Sequence, residues 1–159
     1  MKSQLKVVLL LLAALLLTAC NKKVKEEAVT GISEPGAFTA ADLDSNSCLM
    51  QRVIYFDYDQ DLLRPEYQAV VACHTKYLRD RPSARMSLEG NADERGTREY
   101  NLGLGERRSN AVASAFAGSG ADASRVNAVS YGEERPLCLD SDESCWSKNR
   151  RVEIVYSVK

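Results

Sequence analysis

The N-terminal segment constrains this chain more than any other feature, because it determines the compartment in which the remainder folds. Lys2 and Lys6 form a basic start without an acidic residue, and residues 7–17 are an apolar run of 11 residues. Such a start, followed by a short apolar run and small residues, is typical of a secretory signal peptide. A helix that crosses a bilayer needs roughly 20 apolar residues. We therefore predict that residues 1–19 are a signal peptide and that the rest is exported.

A cysteine directly follows the apolar run. The residues Leu17-Thr18-Ala19-Cys20 resemble the lipobox of bacterial lipoproteins, in which the cysteine is acylated. The alternative is an ordinary signal peptide that ends near a cysteine by chance. Two or three acyl chains are enough for stable anchoring. Asn21 stands where an Asp tends to hold such lipoproteins at the inner membrane, so the resemblance implies a lipid anchor at Cys20 in the outer membrane, with the folded part facing the periplasm.

The segment after the anchor differs in composition from the rest of the chain. Residues 21–47 are rich in Lys, Glu, Ser, Gly and Ala and show no apolar periodicity. Their fully extended reach is about 90 Å. We predict that residues 20–47 form the lipidated cysteine and a flexible tether, and that residues 48–159 form one domain. The formal net charge of −1 gives no basic surface for nucleic acid.

Alternating patterns from residue 52 onward predict the fold. Strands are predicted at 53–56, 85–90, 126–131 and 152–158, and helices at 66–81 and 101–117. Pro65 favours the start of the first helix and Pro82 its end. This order predicts an α+β two-layer sandwich, in which two helices cover one face of a mixed sheet of about four strands.

Four cysteines remain beyond the anchor: Cys48, Cys73, Cys138 and Cys145. In an oxidising compartment they indicate two disulfides, for which three connectivities exist. The short loop favours Cys138–Cys145, which leaves Cys48 with Cys73. Zinc is the alternative, but the spacings are wide and His74 is the only histidine. His74 lies on the apolar stripe of the first helix, where we expect a packed, hydrogen-bonded side chain, and we predict no metal or other cofactor.

The densest polar cluster lies between residues 89 and 108. Arg108 begins a helix face that continues, at steps of three and four, with Ala111, Val112, Ala115 and Phe116. A partly buried arginine needs a partner, because unpaired buried charge is costly. Asp93, in the loop after the second strand, suits that role. Two interpretations remain: an internal Asp93–Arg108 salt bridge, or a pocket of opposite charges for a ligand that carries a carboxylate and an ammonium.

Several motifs occur in one order along the predicted domain. They are Tyr55-Phe56-Asp57-Tyr58-Asp59, Glu89-Gly90-Asn91-Ala92-Asp93-Glu94-Arg95-Gly96-Thr97, Tyr100-Asn101, Leu104-Gly105-Glu106-Arg107-Arg108, Val129-Ser130-Tyr131-Gly132-Glu133-Glu134-Arg135-Pro136 and Ser147-Lys148-Asn149-Arg150-Arg151. Together they resemble the OmpA-like domain family, and within it the peptidoglycan-associated lipoproteins, over about residues 53–156. This resemblance implies the same two-layer fold.

The resemblance also implies a ligand, the free end of meso-diaminopimelate in the stem peptides of peptidoglycan. By motif position, Asp93 would accept from its ammonium and Arg108 would bind its carboxylate. The other implied site residues are Thr97 and Asn101, which shape the loop and offer hydrogen bonds, Leu104, which lines the pocket, and Tyr58 and Asp59, from the loop after the first strand. Asn149 and Arg150 belong to the same signature, either at the ligand or only as a brace for the final strand.

The role that the resemblance implies is a tether between the outer membrane and the cell wall in the Tol-Pal system, with TolB as a partner and a part in envelope integrity and constriction at division. A wall-anchoring lipoprotein of a secretion or motor complex is the alternative. A wall hydrolase would need an acid among Asp93, Glu94, Glu99 and Glu106. A carboxylate beside an arginine stays ionised and is a poor acid. The sequence also shows no Ser-His or Cys-His arrangement, because the single histidine lies on a helix face. We therefore predict no enzymatic activity.

Overall fold

The computed structural model describes residues 36–159. The predicted signal peptide, Cys20 and the first part of the tether lie outside these residues. The main elements are α1 (Asp42–Ser45), β1 (Val53–Tyr55), α2 (Gln68–Asp80), β2 (Arg85–Asn91), α3 (Arg98–Gly118), β3 (Val126–Gly132), α4 (Glu143–Asn149) and β4 (Arg151–Val158). Within this part of the chain, no helix has the length and apolar character to cross a membrane.

The four strands form one mixed sheet in the order β1-β4-β2-β3. β4 is antiparallel to both of its neighbours, whereas β2 and β3 are parallel and are connected through α3. Met86 and Leu88 of β2 and Ile154 of β4 point into a core that also receives the apolar sides of α2 and α3. The predicted α+β fold with a four-stranded mixed sheet is confirmed.

Helix α3 lies unusually close to β2. A Cβ atom added to Gly90 would lie 2.0 Å from the carbonyl oxygen of Gly105, so the two backbones touch. Thr97 caps the helix, since its side chain accepts a hydrogen bond from the backbone N of Tyr100 at 3.2 Å. This cap starts α3 three residues before the predicted position. The close approach brings Leu104 and Arg108 to the end of β2.

Helix α2 buries the stripe that its spacing predicts, and His74 is fully buried within it. Its Nε2 lies 3.1 Å from the carbonyl oxygen of Gln51, and its Nδ1 lies 2.8 Å from the hydroxyl of Tyr156. Since a carbonyl only accepts, Nε2 carries the proton and Nδ1 accepts from the tyrosine. The expected packed, hydrogen-bonded histidine is confirmed.

Both expected disulfides are present in the structure. Cys48–Cys73 ties α2 to the segment before β1, and Cys138–Cys145 closes the loop that leads into α4. Asp140 lies close to the second pair. Disulfide sulfurs are not thiolates, however, so this group does not offer the ligands that zinc requires.

The folded unit begins earlier than the predicted end of the tether at residue 47. Leu43 is fully buried, and Phe38 packs on the core. The backbone N of Phe38 donates to Asp80 at 2.8 Å, and the Lys76 ammonium donates to the carbonyl oxygen of Gly36 at 2.9 Å. The prediction of a flexible tether is therefore wrong for residues 36–47, because two isolated apolar residues produce no periodicity although both find a place in the core.

Helix α4 was not predicted from the sequence. Its N-cap, Asp142, accepts hydrogen bonds from the backbone N atoms of Ser144 and Cys145. The helix has seven residues, of which Cys145 and Asn149 are buried. Such a short, polar segment shows no helical stripe, and the cap and the disulfide hold it in place.

Candidate ligand-binding site

A pocket of about 110 Å³ opens where the end of β2, the start of α3, the loop after β1 and the start of β4 meet. It is lined by Tyr58, Asp59, Asp93, Arg95, Gly96, Tyr100, Asn101, Leu104, Arg108 and Arg150. Of the ligand residues that the sequence implied, all except Thr97 are in this set. Thr97 instead caps α3 at the edge of the same loop.

Arg108 forms the floor of the pocket and is fully buried. Its Nε, Nη1 and Nη2 donate to the carbonyl oxygens of Gln60, Asn91 and Asp57 at 2.8, 2.9 and 3.0 Å. Burial lowers the pKa of the guanidinium to about 10, so the group is still charged at neutral pH. A guanidinium has five N–H donors, and three are used here, which leaves one on each Nη atom for a further acceptor.

Asp93 is 4% exposed and forms two ion pairs. Its Oδ2 lies 2.7 Å from Nη2 of Arg95 and 3.2 Å from Nη1 of Arg150. Burial by itself would raise the pKa of Asp93, but the hydrogen bonds from Arg95 and Arg150 outweigh it and lower the pKa below the ordinary value. Within residues 36–159, Asp93 has no ion pair with Arg108. The interpretation as an internal Asp93–Arg108 salt bridge is therefore wrong, because Arg108 is bound by main-chain carbonyls.

Arg95 closes one side of the pocket. Its guanidinium lies between two aromatic rings, 4.0 Å from the centre of Tyr58 and 4.1 Å from the centre of Trp146. Both distances are within the range of cation–π attraction. The indole N–H of Trp146 donates to Glu94 at 3.1 Å, and this bond fixes the position of the indole ring. Tyr58, from the loop after β1, and Trp146, from α4, thus hold a side chain of the β2–α3 loop.

Arg150 and Asn149 have different roles. Arg150 donates to Asp93, to Glu143 and to the carbonyl oxygen of Phe56, so it joins the pocket to β1 and α4. Asn149 lies outside the pocket lining. Its amide donates to the carbonyl oxygen of Cys138 and accepts from the backbone N of Leu137, so it braces the disulfide loop.

The rim of the pocket is polar. Asp59 has a left-handed backbone conformation with φ of 55° and accepts a hydrogen bond from the hydroxyl of Tyr100. This bond raises the pKa of Tyr100. Asn101 is buried and donates to Glu133 in the loop after β3. These contacts connect the start of α3 to both neighbouring loops.

Three residues that line the pocket were not assigned to it from the sequence: Arg95, Gly96 and Tyr100. They lie within the same stretch of chain as Asp93 and Asn101, so their proximity could have been expected. Arg150, for which the resemblance left two roles open, also lines the pocket. The aromatic partner Trp146 left no such signal, because it belongs to the helix that was not predicted.

The arrangement suits a small molecule that carries both a positive and a negative charge. Arg108 and Asp93 both line the pocket, and within residues 36–159 each Nη atom of Arg108 has only one hydrogen-bond partner. A cavity of about 150 Å³ holds a benzene molecule, so the present pocket has room for an amino-acid head group rather than for a sugar chain. These features define the class of protein: an α+β domain with a small pocket of opposite charges at the end of β2.

The sequence matches the OmpA family over residues 55–150. It is 40% identical over 141 residues to the peptidoglycan-associated lipoprotein of Haemophilus influenzae, which covers 88% of this chain and 90% of that protein. The chain belongs to the OmpA family, and the predicted resemblance is confirmed.

Solved structures agree with this assignment. The crystal structure of the peptidoglycan-associated lipoprotein from Burkholderia pseudomallei is similar with a TM-score of 0.71 and 43% identity, over 72% of this chain and 98% of that one. The C-terminal domain of MotB from Helicobacter pylori is similar with a TM-score of 0.61 over 67% of this chain and 83% of that one. At 19% identity, this second likeness shows the fold alone.

Proposed function

We propose that this protein is an outer-membrane lipoprotein that binds peptidoglycan non-covalently through the diaminopimelate of the stem peptide. By this contact it ties the outer membrane to the cell wall. The relatives that match most of the chain are named peptidoglycan-associated lipoproteins, which supports the proposal.

One observation carries the proposed ligand: Arg108 and Asp93 line the same small pocket without pairing with each other. The N–H groups of Nη1 and Nη2 that have no partner among residues 36–159 suit the two oxygens of a carboxylate. Asp93 suits an ammonium. The free end of diaminopimelate carries both groups on one carbon, and its head group fits a pocket of this size.

The pocket favours binding over cleavage. Hydrogen bonds lower the pKa values of both Asp93 and Glu94. Both carboxylates are therefore ionised at neutral pH and cannot act as the general acid that glycoside hydrolysis requires. We propose that the protein holds the wall without cutting it.

Sedimentation with purified sacculi tests this function. Asp93→Asn keeps the size of the side chain but removes its charge, and loss of one partner of a desolvated charge pair costs roughly 2–5 kcal/mol. At about 1.4 kcal/mol per tenfold, binding should weaken roughly 30-fold or more. The control is Asp61→Asn, since Asp61 pairs with Arg107 at 3.0 Å outside the pocket and its loss should leave binding unchanged. Free meso-diaminopimelate should compete with the sacculi. Full binding by a folded Asp93→Asn variant would refute the assignment.

The cellular role rests on the lipid anchor and the partner. Cys20→Ser should remove the protein from outer-membrane fractions, because the thiol that takes the lipid is lost. We assign the protein to the Tol-Pal system, in which TolB is the expected partner. Copurification with TolB would support this role, whereas copurification with a motor or secretion component would favour the alternative that the shared fold also permits.

A further inference from the structure

We propose that Arg95 determines the specificity of the pocket: it occupies the ammonium position on Asp93 and leaves only for a ligand that brings a cation of its own. This inference rests on the proposed function, because it concerns the amine end of the same ligand. The class of ligand it selects is an amino acid with a free ammonium, and the class it refuses has the same amine acylated.

The acceptor capacity of Asp93 is already filled. An ionised carboxylate has about four lone-pair sites. Oδ1 accepts from the backbone N of Arg95 at 3.1 Å and from its Nε at 3.2 Å. Oδ2 accepts from Nη2 of Arg95 at 2.7 Å and from Nη1 of Arg150 at 3.2 Å. An ammonium that binds Asp93 must therefore displace one of these donors.

Arg95 is the donor that can leave. The side chain of Arg150 is 7% exposed, and Glu143 and the carbonyl oxygen of Phe56 also bind it, so these contacts hold it in place. The side chain of Arg95 is 27% exposed and can rotate into water, since apart from Asp93 its one ion-pair contact within residues 36–159 is with Glu143 at 3.6 Å. Its backbone N–H keeps its bond to Asp93 during this rotation.

The aromatic pair makes the exchange selective. Tyr58 and Trp146 hold the Arg95 guanidinium in front of Asp93 when no ligand is bound. A ligand without a positive charge gains nothing at the carboxylate that offsets the loss of these contacts, whereas an ammonium replaces the lost ion pair. An amine that is acylated in a peptide cross-link has no charge, so the pocket should refuse it.

The single tryptophan of the chain gives a direct probe of this exchange. In the full-length protein, purified in detergent, meso-diaminopimelate should increase the quenching of Trp146 fluorescence by acrylamide, because Arg95 leaves its ring. In Arg95→Gln the quenching should be high before the ligand is added and should change little afterwards.

Affinity gives the second test. Arg95→Gln should bind meso-diaminopimelate about tenfold more tightly than the wild type, since no guanidinium competes. It should also lose most of the preference for meso-diaminopimelate over its di-N-acetyl derivative, in which neither end keeps an ammonium. The control is Arg98→Gln, which removes the same charge from a side chain that is 72% exposed and paired with Glu134. This variant should match the wild type in affinity, preference and quenching.

The outcomes separate this inference from the proposed function. If the wild type binds meso-diaminopimelate but Arg95→Gln binds it no more tightly, or if the ligand leaves the quenching of Trp146 unchanged, the role of Arg95 is refuted and the pocket assignment stands. If the wild type binds neither meso-diaminopimelate nor sacculi, the proposed function fails, and the role of Arg95 fails with it.

Discussion

Replacement of Arg108 by methionine should destabilise the domain even in the absence of ligand. Methionine has a similar length and keeps much of the packing, but it removes three hydrogen bonds to carbonyl oxygens. The loss is expected because the guanidinium joins the loop after β1 to the end of β2.

The magnitude follows from the surroundings of the three acceptors. The bond to Asn91 is buried, and a hydrogen bond with one charged partner contributes about 1.5–3 kcal/mol. Asp57 and Gln60 are exposed residues, so water replaces part of their bonds, and we assign about 1 kcal/mol to each. Relief from burying the guanidinium offsets some of this loss. We expect a decrease of about 3–4 kcal/mol in the free energy of unfolding, out of the 5–15 kcal/mol typical of a domain.

Urea unfolding, followed by far-UV circular dichroism at pH 7, measures this loss. The matched control is Arg107→Met, because Arg107 directly precedes Arg108 on α3 but is half-exposed and paired with Asp61. An exposed pair contributes at most about 1 kcal/mol. Equal losses in the two variants, or a loss below about 1 kcal/mol for Arg108→Met, would show that the three carbonyl contacts do not stabilise the fold.

Three further predictions concern stability. Burial lowers the pKa of His74 from 6.5 to about 4, so its contribution is complete above pH 6.5 and is lost as the pH falls towards 4; unfolding at pH 5 should need about 2 kcal/mol less than at pH 7, a difference that His74→Gln should abolish. Gly90→Ala should cost about 3 kcal/mol or more in thermal unfolding, because its Cβ would clash with α3, while Gly118→Ala, with open space around it, should change stability by less than about 1 kcal/mol. Joint replacement of Cys48 and Cys73 by alanine should lower the free energy of unfolding by about 3 kcal/mol. An unchanged free energy of unfolding of the wild type after its disulfides are reduced would contradict this.

The regular elements were predictable because their side chains repeat with the period of the backbone. Met86 and Leu88 alternate along β2, and Val70, Val71 and His74 follow the helical period in α2, so the local pattern contained the fold class. The segments that escaped prediction lack such a period. Residues 36–47 are ordered by contacts with distant residues of α2 and the core, and α4 is held by its Asp142 cap and a disulfide rather than by an apolar stripe, so no periodic pattern marks either segment.

The sequence by itself determined the types of groups in the pocket. A helix face that begins with Arg108, and Asp93 in the loop before it, was enough to suggest opposite charges near one another. Only the tertiary structure decided how these charges are paired. Arg108 is bound by carbonyls of the loop after β1 and of Asn91 at the end of β2. Asp93 is bound by Arg95, its near neighbour, and by Arg150, which lies 57 residues away. The sequence lists cations and carboxylates but does not determine which of them form ion pairs. Ion pairs form between the groups that the packing of α3 and α4 against the sheet brings within hydrogen-bond distance.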